Sequence, residues 1–250
     1  MKRGILYVVF GEEYWKIAAA CMRISRKNTN YPFYVVTNLH GDLSVPDNTK
    51  VCRVNAKTEE NRDYKTRMVN ITPFDETLYL DCDSIIQRPG IGAAFDALDE
   101  PRLSQGAVEV VPDVVLNKFI EWRMGDRVLN IYARAMKMFG VQLPLTVYNG
   151  AFICFRKNGI VRTFFQLWRS YWEKFGRGRE MPCLACAVKN LNDLMVSKAP
   201  KKMFEAEKLD PDVVVQHYTG GKFLEKFSLP KWTRWAPFDC DPNDFHWSKT

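Results

Sequence analysis

Short apolar runs alternate along this chain with apolar stripes at helical spacing. Ile5-Leu6-Tyr7-Val8-Val9-Phe10 is unbroken and of strand length. Beyond Gly11, the residues Tyr14, Ile17, Ala18, Cys21, Met22 and Ser25 recur on one face of a helix. Glu12 and Glu13 fall in its first turn and Arg23, Arg26 and Lys27 near its end, as the helix dipole favours. Phe33–Thr37 predicts a second strand, ended by Asn38, and Val51–Val54 a third. A helical stretch over Asp63–Asn70 follows, with Lys65 at its start. Thr77–Leu80 predicts a fourth strand that runs straight into Asp81-Cys82-Asp83.

The second half is less regular. Asp113–Phe139 reads as a helical inserted lobe, placed to shape an acceptor side. Val147–Phe155 is strand-like but interrupted by Asn149-Gly150. Val161, Phe164, Phe165, Trp168, Tyr171, Trp172 and Phe175 mark an aromatic helix face, read as core. A helix near Cys183–Leu191 and a strand Val213–His217 complete the pattern. Strands alternating with helices predict an α/β fold with a mixed, mostly parallel sheet, flanked by helices and carrying a helical insertion. One domain over 1–250 is expected, divided near 110 and 145.

Charge and cysteine usage narrow the class. Thirty-six basic against 29 acidic side chains give +7, which favours an anionic partner. The basic residues are spread out, with Lys198, Lys201 and Lys202 the densest group. They read as solvated faces, and no nucleic-acid partner is expected. The seven cysteines sit mostly among apolar neighbours, which suggests buried thiols in a reducing, cytoplasmic setting. Cys183 and Cys186 have CxxC spacing, but no second pair follows to build a zinc site, so helix packing is the expectation. No apolar run is long enough to cross a bilayer, and the N-terminus reads as a first strand rather than a signal peptide. Leu229–Trp247 mixes Trp232, Trp235, Phe238, Phe245 and Trp247 with Lys231 and Arg234. Its rings are expected to cover core, with peripheral membrane contact the alternative.

The sharpest chemical signal is Asp81-Cys82-Asp83 at the carboxyl end of a buried strand, where α/β sheets bind ligands. Two adjacent carboxylates stay ionised cheaply only beside a cation or hydrogen-bond donors. Hard oxygen ligands favour Mg²⁺ or Mn²⁺, commonly shared with substrate phosphates. A turn in which Asp83 caps the next segment is the plain structural reading. Three features agree with a metal and a diphosphate: Lys65 upstream, Gly150 permitting close backbone approach, and His217-Tyr218-Thr219-Gly220-Gly221-Lys222 after an apolar strand. A phosphatase of haloacid dehalogenase type also ends a strand in DxD, with the first acid as nucleophile. That motif usually opens its chain, whereas Asp81 follows three strand-like segments.

In order, Tyr64-Lys65-Thr66-Arg67, Tyr79–Asp83, Asn149-Gly150-Ala151, Glu180–Ala185 and His217–Lys222 resemble the nucleotide-sugar glycosyltransferases of the GT-A fold. The pattern is most similar to glycosyltransferase family 8, the glycogenin and galactinol synthase relatives. The resemblance implies that Asp81, Asp83 and His217 hold Mn²⁺ or Mg²⁺, and that Lys65 and Lys222 contact a diphosphate, with Gly220 in the same loop. It implies Phe10, Gly11, Tyr14 and Asn38 near base and ribose, and Asn149 and Gly150 facing the donor sugar. Glu180-Met181 stands where the family has Asp-Gln, and Glu180 is carried over as a sugar-side catalytic residue. The implied activity is metal-dependent transfer, with retention, from a UDP-sugar to a carbohydrate, lipid or protein acceptor. A non-catalytic nucleotide-sugar binder or nucleic-acid binder is the alternative outside enzymes.

Overall fold

The computed structural model describes residues 1–98, 108–116, 126–142, 145–191, 194, 196, 199–206 and 209–218, with side chains left out over 108–116 and 126–130. Its elements are β1 (Arg3–Val9), α1 (Glu12–Arg26), β2 (Phe33–Thr37), β3 (Thr49–Arg53), a 3-10 turn (Thr58–Glu60), α2 (Asn61–Lys65), α3 (Met68–Ile71), β4 (Glu76–Leu80), β5 (Ser84–Ile86), α4 (Gly92–Asp96), β6 (Val108–Leu116), α5 (Asp126–Phe139), β7 (Leu145–Arg156), α6 (Gly159–Lys174), α7 (Met181–Asn190), β8 (Phe204–Glu205) and β9 (Val215–His217).

A six-stranded sheet has the order β3-β2-β1-β4-β7-β6. The first four strands are parallel, and β7 and β6 run antiparallel to their neighbours. A smaller sheet, β5-β9-β8, follows the fourth strand. The period of two explains why β1 is apolar throughout. Ile5, Tyr7 and Val9 pack on one face with Trp15, Ala18 and Met22 of α1 and Phe95 of α4. Leu6, Val8 and Phe10 pack on the other with Phe164, Phe165 and Trp168 of α6 and Leu184 of α7. A strand covered on both faces has no position where a polar residue is cheap. The aromatic stripe of α6 is core, as its spacing predicts.

Several expectations need correction. In α1 the buried face is Trp15, Ala18, Ala19, Cys21, Met22 and Ser25, while Tyr14 is exposed. The stripe is turned by a fraction of a step, which brings the Trp15 indole under the sheet. Lys65 ends its helix rather than starting it, because the predicted stretch breaks into α2 and α3 at Thr66 and Arg67. The inserted lobe is not helical throughout. Residues 113–116 belong to β6, an edge strand rich in β-branched residues, and α5 begins only at Asp126. Pro112 is tolerated there because the edge position and the register shifts around it release its missing N–H. Asn149-Gly150 does interrupt its strand, as expected, but without breaking it. β7 runs through it as a bulge, so that Val110 faces Ile153 while Val111 faces Asn149. The C-terminal aromatic segment, Lys198, Gly220 and Lys222 lie outside the described residues.

The amino end of β4 carries a buried acid. Glu76 is fully buried, with Arg3 as its register partner on β1 and Arg156 on β7. Arg3 Nε donates to Glu76 Oε2 at 2.8 Å, and Arg156 Nε donates to Oε1 at 2.7 Å. Glu76 thereby staples three adjacent strands below the site. Glu76→Ala leaves two guanidinium groups facing an apolar gap and is expected to lower stability by about 3 kcal/mol. A urea titration of the two proteins checks this.

Candidate active site

The parallel order reverses between β1 and β4, one of which continues to β2 and the other to β7. Such a switch point opens a crevice beyond the carboxyl ends of the strands. A cleft of about 510 Å³ lies there, lined by Val8, Phe10 and Tyr14 after β1, by Thr58, Arg62 and Lys65 of the connection, and by Asp81, Cys82 and Asp83 after β4. Glu180, at the start of α7, closes one side.

Main-chain bonds fix the two acids. Asp81 N donates to Ala151 O of β7 at 3.0 Å. Ser84 N donates to Asp81 O, which forms a tight turn, and Tyr218 N donates to Asp83 O. That last bond ties the turn to β9, where His217 pairs in register with Ser84. Ligand atoms of Asp81, Asp83 and His217 consequently lie within 4.8 Å of one another. His217 Nε2 is 3.0 Å from Asp83 Oδ1. Asp83 thus faces the imidazole and does not act as a helix or turn cap. Opposed ligands of an Mg²⁺ with bonds of about 2.1 Å stand about 4.2 Å apart, so a modest contraction seats a hard cation among these three. Two carboxylates and one imidazole are a donor set that fits Mn²⁺ or Mg²⁺.

Lys65 supplies the cation that the protein itself contributes. Its side chain is 5% exposed, and its Nζ lies 3.0 Å from Asp81 Oδ1 and 3.2 Å from Glu180 Oε1. Arg62 Nε reaches Glu180 Oε2 at 3.3 Å. Burial works against the Lys65 charge, but Asp81 and Glu180 more than reverse it and hold the ammonium above its ordinary value. Tyr79 Oη donates to Asp81 Oδ1 at 2.5 Å. Burial, then the nearby Asp81 charge, pushes the Tyr79 phenol well above its ordinary 10.0, so it keeps its proton. At Asp81 burial opposes the charge. Lys65, then His217, then the bonds from Tyr79 and Lys65 prevail, and the carboxyl is held below its ordinary 3.8.

The remaining residues have definite places. Gly11 takes φ +87°, and a Cβ there would stand 2.9 Å from Thr58 Cγ2. Its N–H donates to Asn38 Oδ1 at 2.9 Å, while Asn38 Nδ2 donates to Ala56 O. Asn38 is therefore a brace behind the cleft rather than part of its lining. The Phe10 ring is buried against Tyr64, whereas Tyr14 stands exposed at the rim. Asn149 Oδ1 accepts from Ala151 N, which shapes the bulge. A Cβ on Gly150 would lie 3.3 Å from Lys65 Nζ, so glycine lets the strand approach the ammonium closely. The Glu180 backbone is held by Trp168 Nε1 donating to its O at 3.0 Å. Cys183 and Cys186 are packed in the core, and burial pushes both thiols up to about 12. The six described cysteines form no disulfide among themselves.

Sequence reasoning missed Tyr79, Arg62, Thr58 and Glu59, which also line the cleft. Two had readable signals. Tyr79 precedes Asp81 by two, the spacing that places strand residues on one face. Arg62 precedes Lys65 by three, which puts them on one side of a helix turn.

No protein-family model matches the chain, and no curated protein does. Solved structures do. The galactosyltransferase LgtC in complex with donor and acceptor sugar analogs superposes with a TM-score of 0.55 at 14% identity, over 87% of each chain. An active-site mutant of LgtC gives 0.54 at 14% over the same shares. The apo bifunctional glycosyltransferase WbbM gives 0.56 at 13%, over 87% of this chain and 45% of that one. At such identity the likeness is one of fold. The chain has the mixed α/β architecture of the GT-A glycosyltransferases.

The Asp81 carboxyl generates a pH prediction. The folded chain binds its proton less readily than the unfolded chain. The resulting stability is present above 3.8 and is lost as pH falls through the lower folded value. Asp81→Asn should flatten the acid limb of the stability–pH profile of the metal-free protein, measured by denaturant titration.

Proposed function

We propose that this chain transfers a sugar from a nucleotide-diphosphate donor, a UDP-sugar, to an acceptor in a reaction dependent on Mn²⁺ or Mg²⁺. The observation that carries the reading is the meeting of Asp81, Asp83 and His217 within 4.8 Å beside the cleft of a GT-A-like sheet. The named activities of LgtC and WbbM support a transferase. The resemblance of the ordered motifs to family 8 supports the UDP donor and retention at the anomeric carbon.

A bound divalent cation would supply Lewis-acid stabilisation of the diphosphate as its bond to the sugar breaks. Asp81, Asp83 and His217 would hold it. Lys65, already charged and positioned, meets negative charge developing on the diphosphate without reorganisation. Tyr14 at the rim offers a ring face to the base, with Phe10 and Gly11 beneath it and Asn38 bracing the Gly11 turn. Glu180 and the Asn149-Gly150 bulge bound the sugar side, close to Lys65. The C1–phosphate oxygen bond breaks, UDP departs, and an acceptor oxygen bonds to C1 as its proton passes to the departing diphosphate. Gly220 and Lys222, on the segment after His217, are proposed to reach the same diphosphate. A cytoplasmic location fits the absence of disulfides among the described cysteines. Among the described residues no helix is long and apolar enough to cross a membrane.

The phosphatase reading requires Asp81 to attack phosphorus as a nucleophile. The likeness of the fold to the glycosyltransferases LgtC and WbbM favours a ligand role for it instead. Asp83→Ala removes one carboxylate and should lower Mn²⁺-dependent release of UDP from UDP-sugars by at least about 100-fold. Undiminished turnover in that variant refutes the assignment.

A further inference from the structure

The two oxygens of Asp81 are not equivalent. Oδ1 accepts from Tyr79 Oη at 2.5 Å and from Lys65 Nζ at 3.0 Å. Tyr79 is 2% exposed, its ring sits 5.1 Å below the same ammonium, and it belongs to the rigid end of β4 between β1 and β7. Its hydroxyl cannot turn elsewhere without leaving a buried donor unpaired. A carboxylate oxygen with two charge-assisted or short bonds is both oriented and partly satisfied. The opposite oxygen accepts no hydrogen bond among the described residues and keeps its lone pairs open.

We propose that Tyr79 is a positioning residue for the metal centre: its hydroxyl, with Lys65, fixes the Asp81 carboxylate so that Oδ2 alone is presented to the cation. Tyr79 borders the cleft, but the role proposed for it is exerted through Asp81. Its role is to set which oxygen, and at what angle, Asp81 offers. The inference rests on the metal-dependent reading above and adds a residue to it. The neighbouring strand shows that the feature is selective. Tyr7 on β1 is equally buried, yet its hydroxyl donates to no carboxylate among the described residues.

The test is Mn²⁺ binding to the free, full-length protein, followed by electron paramagnetic resonance or calorimetry without any sugar donor. Tyr79→Phe keeps the ring and removes one donor. Its Mn²⁺ Kd is expected to rise roughly 10-fold or more, in the range seen when a partner of a metal ligand is removed. Tyr7→Phe is expected to leave the Kd unchanged, which separates positioning from a general effect of losing a buried hydroxyl. A Kd for Tyr79→Phe within twofold of the unaltered chain overturns the inference while leaving the transferase reading intact. If the unaltered chain binds no Mn²⁺, and Mg²⁺ does not stabilise it thermally, both fall together. Should Tyr79→Phe not fold, ultraviolet difference spectra of the unaltered chain decide. Mn²⁺ must perturb a tyrosine absorbance, and a flat difference spectrum at saturating metal overturns the proposal.

Discussion

An ammonium removed from water is costly unless anions meet it, and Lys65 is met by two. Asp81 comes from the end of β4 and Glu180 from the start of α7, so one buried positive charge draws together three elements distant in sequence. Each partner is held independently. The Asp81 main chain is bonded to β7, and the Glu180 carbonyl is bonded to Trp168 of the aromatic helix. The cleft is therefore built on rigid parts, and its electrostatics are set before any ligand enters.

Strand β4 shows the same chemistry used for two ends. Glu76 at its amino end is closed off by Arg3 and Arg156, with no lone pair directed to solvent space. Asp81, just past its carboxyl end, keeps 28% side-chain exposure and only one saturated oxygen. A fully paired acid is structural. An acid paired on one side and open on the other is a place where a cation can complete the charge balance.

Much of this was legible in the sequence, for physical reasons. The doubly buried strand β1 had to be unbroken because neither of its faces admits a polar residue, and the aromatic face of α6 had to be core because that face admits none. Asp81-Cys82-Asp83 and His217 stood out because charged residues rarely end buried strands without a partner. Other features were not legible. The turn of α1 that buries Trp15 and exposes Tyr14 depends on the sheet it meets, not on its own spacing. Residues 113–116 become an edge strand only because β7 is there to pair with them. The bonds of the Asn38 amide to the Gly11 turn and to Ala56 join segments that no local spacing relates. Glu180, whose substitution for the family's acid raised a question, is the counter-ion of Lys65.

The three atoms that face one another at the cleft are contributed at very different moments of synthesis. Asp81 and Asp83 leave the ribosome with the first parallel strands, while His217 arrives only with β9, after α6 and α7. A nascent chain that has folded its early strands already holds Lys65 beside Asp81, whereas Asp83 gains its imidazole neighbour only once β9 has been made. Pairing of β9 with β5 is what brings His217 to the two acids, so the three-residue cluster is complete only when the small sheet has formed.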